Sequence, residues 1–295
     1  MASAPALALT PRPSFAEPTL HRFPIPASGE LIPAVGLGSW LTFDVMDIGD
    51  RRARCRDIIG AFFDRGGTMI DSSPMYGMAQ ATIGQALDQL DNDQSLFSAT
   101  KVWTPGAAVG RFQIENALKS WRLDRFDLLH VHNMVDWDDH LPWMQAWQQE
   151  GRLRYTGITT SHGRRHQALA DVIRSQPVEV VQFTYNIAHR EAESDLLPLS
   201  LDHGKAVVIN RPFDGGRLFR AVEGRELPAL GTELGCSNWA QYFLKFIISH
   251  PAVTCAIPAT SQLVHLHENM GALTGPLPDS AQRTAMVRAW QRAIA

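Results

Sequence analysis

The sequence predicts a (β/α)8 TIM barrel with a short N-terminal hairpin. Three observations predict it. Eight short apolar runs alternate with segments of helical apolar spacing, the order that a parallel sheet with crossover helices requires. Runs such as Ala206-Val207-Val208-Ile209 are continuously apolar, which suits strands covered on both faces. A length of 295 residues is ordinary for such a barrel built as one domain.

Residues 1–18 come first. They are rich in Ala, Pro and Ser and carry no period, so they read either as a disordered leader or as the remnant of an export signal. Ala6-Leu7-Ala8 has the small-x-small form of a cleavage site, but no basic segment precedes it. Localisation follows that choice: cytoplasmic by default, periplasmic if the leader is a signal remnant. Residues 19–295 read as a single domain. It opens with the hairpin, 21–25 and 30–33. The barrel strands then fall at 34–38, 68–71, 96–102, 127–132, 154–159, 178–185, 206–210 and 254–258. Between them, apolar residues recur at helical spacing: Ile58, Phe62 and Phe63; Ile83, Leu87 and Leu90; Ile114, Leu118 and Trp121; Trp239, Phe243, Phe246 and Ile247. A doubly wound open sheet would want a glycine-rich turn after its first strand. Gly36-Leu37-Gly38-Ser39-Trp40 is only a GxG and leads into no immediate helix.

The net charge of -3 gives no electrostatic case for nucleic acid or an anionic membrane. Arg51-Arg52-Ala53-Arg54-Cys55-Arg56 reads as the solvated first turns of a helix. No apolar stretch approaches the ~20 residues that span a bilayer. The three cysteines, Cys55, Cys236 and Cys255, match no zinc or redox spacing, and the eleven histidines include no HExxH. No metal and no disulfide framework is expected.

The chemistry concentrates in Ile70-Asp71-Ser72-Ser73-Pro74-Met75-Tyr76-Gly77. A carboxylate ends an apolar run, and a phenol follows in a turn. A phenol acts as a general acid near neutral pH when its neighbours lower its pKa from about 10. Ser98-Ala99-Thr100-Lys101-Val102-Trp103 supplies a lysine on the next strand. In a barrel the strands' C-terminal ends meet at one mouth. That places Asp71, Lys101 and His132 at the ends of the second, third and fourth strands, with Tyr76 in the loop past Asp71. The ammonium of Lys101 favours phenolate, Asp71 holds Lys101 by an ion pair, and neutral His132 orients a carbonyl oxygen. Taken singly, an Asp at a strand end more often caps a helix, and a Tyr more often packs. A strand lysine is rarely buried unless paired, so Lys101 carries the most weight. Alternation puts His130 on the same face as His132 and does not choose between them.

This quartet resembles that of the aldo-keto reductase superfamily, whose catalytic Asp, Tyr, Lys and His fall on Asp71, Tyr76, Lys101 and His132. The resemblance runs from about residue 32 to about residue 272. It extends to Gly36-Leu37-Gly38-Ser39-Trp40, Gly66-Gly67-Thr68-Met69-Ile70-Asp71, Asp127-Leu128-Leu129-His130-Val131-His132-Asn133 and Ile257-Pro258-Ala259-Thr260-Ser261. It implies NAD(P)H-dependent reduction of aldehydes or ketones, with Tyr76 as general acid.

The resemblance also implies a cofactor cradle. The carboxamide falls to Thr159, Thr160 and Gln182, with Gly38, Ser39, Trp40 and Asp71 alongside. Where the family usually has Ser-Asn, this chain has Thr159-Thr160. The nicotinamide ring would face Asn210, where the family commonly stacks an aromatic, with Arg211, Pro212 and Phe213 beside it. The phosphates would meet Arg211, Gly215, Arg217, Pro258, Thr260 and Ser261, where Thr260 or Ser261 opens a helix. His265, Glu268 and Asn269 match the adenine end. NADPH is the expected cofactor from the family's habit. The lack of Lys or Arg around Ala259, Gln262, His265 and His267 leaves NADH or dual use open.

The expected partner is a small carbonyl substrate in an apolar pocket formed by Trp40, Met75, Trp103 and His132. The sequence does not set the oligomeric state. Two other functions share these residues: a cofactor-binding regulatory subunit, and a Schiff-base lyase using Lys101. Pairing with Asp71 keeps Lys101 protonated and opposes the second.

Overall fold

The computed structural model describes residues 19–46, 50–90 and 96–295; the leader at 1–18 lies outside them. The chain first forms an antiparallel pair, β1 (Arg22–Pro24) and β2 (Leu31–Pro33). Eight parallel strands follow: β3 (Leu37–Gly38), β4 (Met69–Asp71), β5 (Phe97–Val102), β6 (Phe126–Val131), β7 (Leu153–Thr159), β8 (Val180–Thr184), β9 (Ala206–Asn210) and β10 (Cys255–Ala256). Each pairs with the next in sequence, from β3 to β10. Each of the eight apolar runs overlaps one of these strands, with β6 and β7 starting one residue earlier than expected.

The sheet curls until its two edges meet. Ala256 N donates to the Ala34 carbonyl at 2.9 Å, Gly36 N to that of Ala256 at 2.8 Å, and Gly38 N to that of Pro258 at 2.9 Å. A Cβ on Gly38 would stand 2.8 Å from the Ile257 carbonyl oxygen. The GxG after residue 35 is therefore a seam that lets two backbones touch, rather than a phosphate turn. This seam shortens β3 and β10, because residues 34–36 bond across the closure in isolated bridges.

The helices surround the ring. They are α1 (Arg51–Asp64), α2 (Ala79–Leu90), α3 (Ala107–Trp121), α4 (Trp137–Gln149), α5 (His166–Ser175), α6 (Leu196–Asp202), α7 (Arg217–Ala221), α8 (Ala229–Glu233), α9 (Trp239–Ile248), α10 (Leu263–Met270) and α11 (Ser280–Ile294). α1 buries Cys55, Ile58, Ile59, Phe62 and Phe63, the inward stripe of an amphipathic helix. Its arginines sit on the more open side. α9 buries every residue from Ala240 to Ile248 and is the most enclosed of these helices. No helix among the described residues is long and apolar enough to cross a membrane.

Two apolar clusters result. The larger fills the layer between strands and helices. The smaller lies inside the ring: Met69, Phe97, Ala99, Leu128, Tyr155, Val180, Ala206, Val208, Cys255 and Ile257, joined by Ile25 and Ile32 of the hairpin. The hairpin thus stops the N-terminal end of the barrel. Polar contacts fix it there. Arg154 pairs with Glu30 and bonds Asp127 Oδ1 at 2.6 Å, while the Tyr155 hydroxyl donates to Glu30 Oε2 at 2.6 Å. The other end of the ring stays open.

Candidate active site

The second strand ends at Asp71, and its register neighbours set the site. Asp71 lies beside Gly38 and Ala99; two residues further along β5, Lys101 lies beside His130. Asp71 and Lys101 are both buried and form an ion pair. Lys101 Nζ also donates to the Ser72 carbonyl at 2.9 Å. Burial pulls the Lys101 pKa down, while the charge and hydrogen bond of Asp71 pull it back up; the net direction is down. Lys101 is fully enclosed and does not border the cavity at the mouth. Its ammonium therefore lies out of reach of a substrate carbonyl, which a Schiff base would require.

Tyr76 stands above this pair, with Lys101 Nζ 5.3 Å from its ring centroid. The sequence reading has Lys101 lowering the phenol's pKa. The structure reverses the direction: burial raises it, and the Asp71 charge raises it further. Burial is the larger cause, and the Asp71 charge acts in the same direction. Tyr76 is consequently a protonated phenol at neutral pH.

β6 ends at Val131, one residue earlier than expected, and His132 opens a short 3-10 turn. This sets His132 at the mouth, with its ring edge-on to Tyr76 at 5.9 Å and 6.5 Å from Trp103. Burial and then the Lys101 charge push its pKa down to about 3, so it is neutral. His130 points into the ring, fully buried, and neither ring nitrogen has a hydrogen-bond partner. The two histidines are thus separated by depth, which periodicity could not show.

A cavity of about 510 Å³ opens over these groups. Asp71, Tyr76 and His132 form its floor with Gly38, Ser39 and Gln182. Ser39 Oγ donates to the Asp71 carbonyl at 2.9 Å. Trp40 and Met75 line the wall. Trp103 does not line it; the loop holds it outward, 41% exposed, with its backbone bonded at both N and O to the Gln113 amide. Thr159, Asn210, Arg211, Pro212, Phe213, Gly215 and Pro258 line it as well.

Several cofactor candidates are tied up in the protein itself. Gln182 Nε2 donates to Asp71 Oδ2 at 3.1 Å. Asn210 accepts from Thr184 Oγ1 at 2.7 Å and donates to the Thr160 carbonyl at 2.8 Å. Arg211 lies 5.5 Å from the Trp40 ring centroid and pairs with Asp214, as does the more exposed Arg217. Burial opposes ionisation of Asp214, but bonds from Arg217 and Arg211 and the nearby His189 hold its carboxyl down at about 2. Thr160 Oγ1 and Arg211 Nε are buried without a partner.

The helix expected to open at Thr260 or Ser261 begins at Leu263, with Gln262 at its N-cap. The Thr260 hydroxyl accepts from Gln262 N at 3.1 Å, a local turn that delays the helix. His265 Nδ1 and Glu268 Oε2 lie 2.8 Å apart, and Asn269 is buried. None of Thr260, Ser261, His265, Glu268 and Asn269 lines the cavity.

The sequence reading missed Ser73, His162 and Arg164. Ser73 bonds His132, and the other two line the cavity. Their signal was position: Ser73 lies two residues past β4, and Ser161-His162-Gly163-Arg164 follows β7 after Thr160, both at C-terminal strand ends. Strain marks the same face. Apart from Arg122 at the end of α3, every non-glycine residue of positive φ among the described residues lies in a loop after a strand's C-terminal end. They are Leu41, Asn133, Met134, Asp136, His162, Arg165, Arg211 and Asp214.

A closed parallel barrel with these groups converging on its open end defines a (β/α)8 oxidoreductase. The chain belongs to the Aldo/keto reductase family, whose model matches residues 34–286. It is 27% identical over 184 residues to "Aldo-keto reductase YhdN" of Bacillus subtilis (strain 168), covering 57% of this chain and 55% of that protein. It is 26% identical over 226 residues to "Pyridoxine 4-dehydrogenase" of Escherichia coli (strain K12), covering 69% and 75%. Its fold matches a crystal structure of an aldo/keto reductase from Klebsiella pneumoniae in complex with NADP and acetate. That match has a TM-score of 0.74 and 25% identity and covers 93% and 96% of the two chains.

Proposed function

We propose that the protein reduces an aldehyde or ketone to an alcohol with NADPH, Tyr76 acting as general acid. The observation that carries this reading is the floor of the cavity: a protonated phenol above a buried Lys101–Asp71 pair, with a neutral histidine beside it. The Klebsiella structure, crystallised with NADP, supports the choice of cofactor.

The residues present fit a nicotinamide dinucleotide. Thr160 Oγ1 and Arg211 Nε are buried polar atoms still without a partner. Thr159, Thr160 and Gln182 would hold the carboxamide. Arg211, Gly215 and Arg217 would hold the phosphates, with His265 and Glu268 toward the adenine end. When bound, the cofactor supplies a hydride to the carbonyl carbon. His132 donates a hydrogen bond that orients the carbonyl oxygen. Tyr76 passes its proton to that oxygen as negative charge develops there. Lys101 then stabilises the phenolate, and Asp71 keeps Lys101 in place. Trp40 and Met75 exclude water from the reacting face.

Oxidation of NADPH and NADH by the purified protein should be followed with methylglyoxal, 4-nitrobenzaldehyde and aromatic ketones. Tyr76→Phe is expected to cut turnover by about 10²–10⁴-fold, the contribution of a positioned general acid, while the variant still binds cofactor. Unchanged turnover in that variant would sink the assignment.

A further inference from the structure

The loop after β4 does more than deliver Tyr76. Asp71 and the Ser72 carbonyl hold Lys101, and the next residue, Ser73, reaches His132. Ser73 Oγ lies 2.9 Å from His132 Nδ1, and Ser73 is fully buried. A neutral imidazole carries its proton on one nitrogen or the other, and the bond made by one decides which. Ser73 Oγ already accepts the Met75 N–H at 3.3 Å. A hydroxyl has a single hydrogen to give. Among the described residues, His132 Nδ1 is the one acceptor within reach of Ser73 Oγ. Were Nδ1–H instead to donate to Ser73, the buried serine hydrogen would be left without an acceptor, which costs its full desolvation. The hydrogen therefore runs from Ser73 to Nδ1. The ring's proton then sits on Nε2, the nitrogen left to face the cavity that His132 lines.

We propose that Ser73 is a positioning residue for the carbonyl reduction inferred above, holding His132 as the Nε2–H tautomer that donates to the substrate oxygen. The proposal rests on that reading for its kinetics, but not for its chemistry. One run, Asp71-Ser72-Ser73, orders both basic partners of Tyr76. It fixes the lysine through a charge and a carbonyl, and the histidine through a hydroxyl.

The test uses the full chain labelled with ¹⁵N-histidine, with the His132 ring assigned by its loss in His132→Gln. Two-bond ¹H–¹⁵N correlations report which nitrogen bears the proton. The wild type is expected to show Nε2–H, and Ser73→Ala a mixture containing Nδ1–H. The same substitution is expected to lower kcat about tenfold, the upper range for one neutral hydrogen bond, with NADPH affinity unchanged. Because Ser73 acts through His132, adding Ser73→Ala to His132→Gln should slow that variant no further. An Nδ1–H wild type, a tautomer that does not respond to Ser73→Ala, an unchanged kcat, or an equal loss in the His132→Gln background overturns the proposal. If the wild type reduces no carbonyl compound, the parent reading fails, and the tautomer pair alone decides what Ser73 does.

Discussion

Gln182 donates its side-chain amide to Asp71 Oδ2 at 3.1 Å, occupying the carboxylate oxygen that Lys101 leaves free. The carboxylate is thus held from two strands that lie far apart in sequence, and its orientation does not depend on the lysine alone. Removing Lys101 leaves a buried charge with one neutral partner.

Lys101→Met is therefore expected to destabilise the fold by about 3–5 kcal/mol, the range for breaking a buried ion pair at one end. Asp71→Leu added to it should recover most of that loss, because the pair is then replaced rather than broken. Urea unfolding of the single and double variants checks the order: the double variant should be the more stable.

Buried histidines set the acid limb of stability. Burial and the charge of Lys101 hold His130 well below its ordinary value and His132 at about 3. The unfolded chain takes up protons near 6.5, where the folded protein does not. Stability should thus rise with pH from about 3 to about 6.5 and be lost on acidification through that window. His130→Leu should flatten this slope, measured as the urea midpoint across a pH series.

Gly157 is expected to be intolerant of any side chain. A Cβ there would lie 2.3 Å from His130 Nδ1 and 2.8 Å from the Val180 carbonyl oxygen. Gly157→Ala should cost about 1–3 kcal/mol or more as an overpacked site, visible as a lowered Tm in calorimetry. The surface of the protein, including α1 and its arginines, should be unaffected.

Cofactor preference should respond to α10. His265 is more than half exposed and pairs with Glu268, and no fixed positive charge lies at the start of that helix. His265→Arg should raise the preference for NADPH over NADH by about tenfold or more, as one charged hydrogen bond to a phosphate is worth roughly 1.5–3 kcal/mol. The ratio of kcat/KM for the two cofactors measures it.

The barrel was legible because its strands are dense apolar runs such as 206–210, whose pattern survives without knowledge of neighbours. Asp71, Lys101 and His132 were legible because strand ends converge in a barrel. What sequence could not supply was side-chain reach. Gln182 turned to Asp71, Trp103 was held outward by Gln113, and Thr260 spent its hydroxyl on a local turn that moved the helix start to Leu263. The direction of the Tyr76 shift was also illegible: burial leads it and the Asp71 charge adds to it, and burial is a property of the folded chain.

The hairpin that carries Ile25 and Ile32 into the lower end of the ring makes the barrel a vessel with one door. In the proposed reduction, the proton that Tyr76 gives up has to be restored from solvent, and the apolar stopper closes the route from below. Substrate, product and the replacing proton therefore share the mouth ringed by Trp40, Met75 and Arg211, and the catalytic cycle runs as traffic in both directions through one opening.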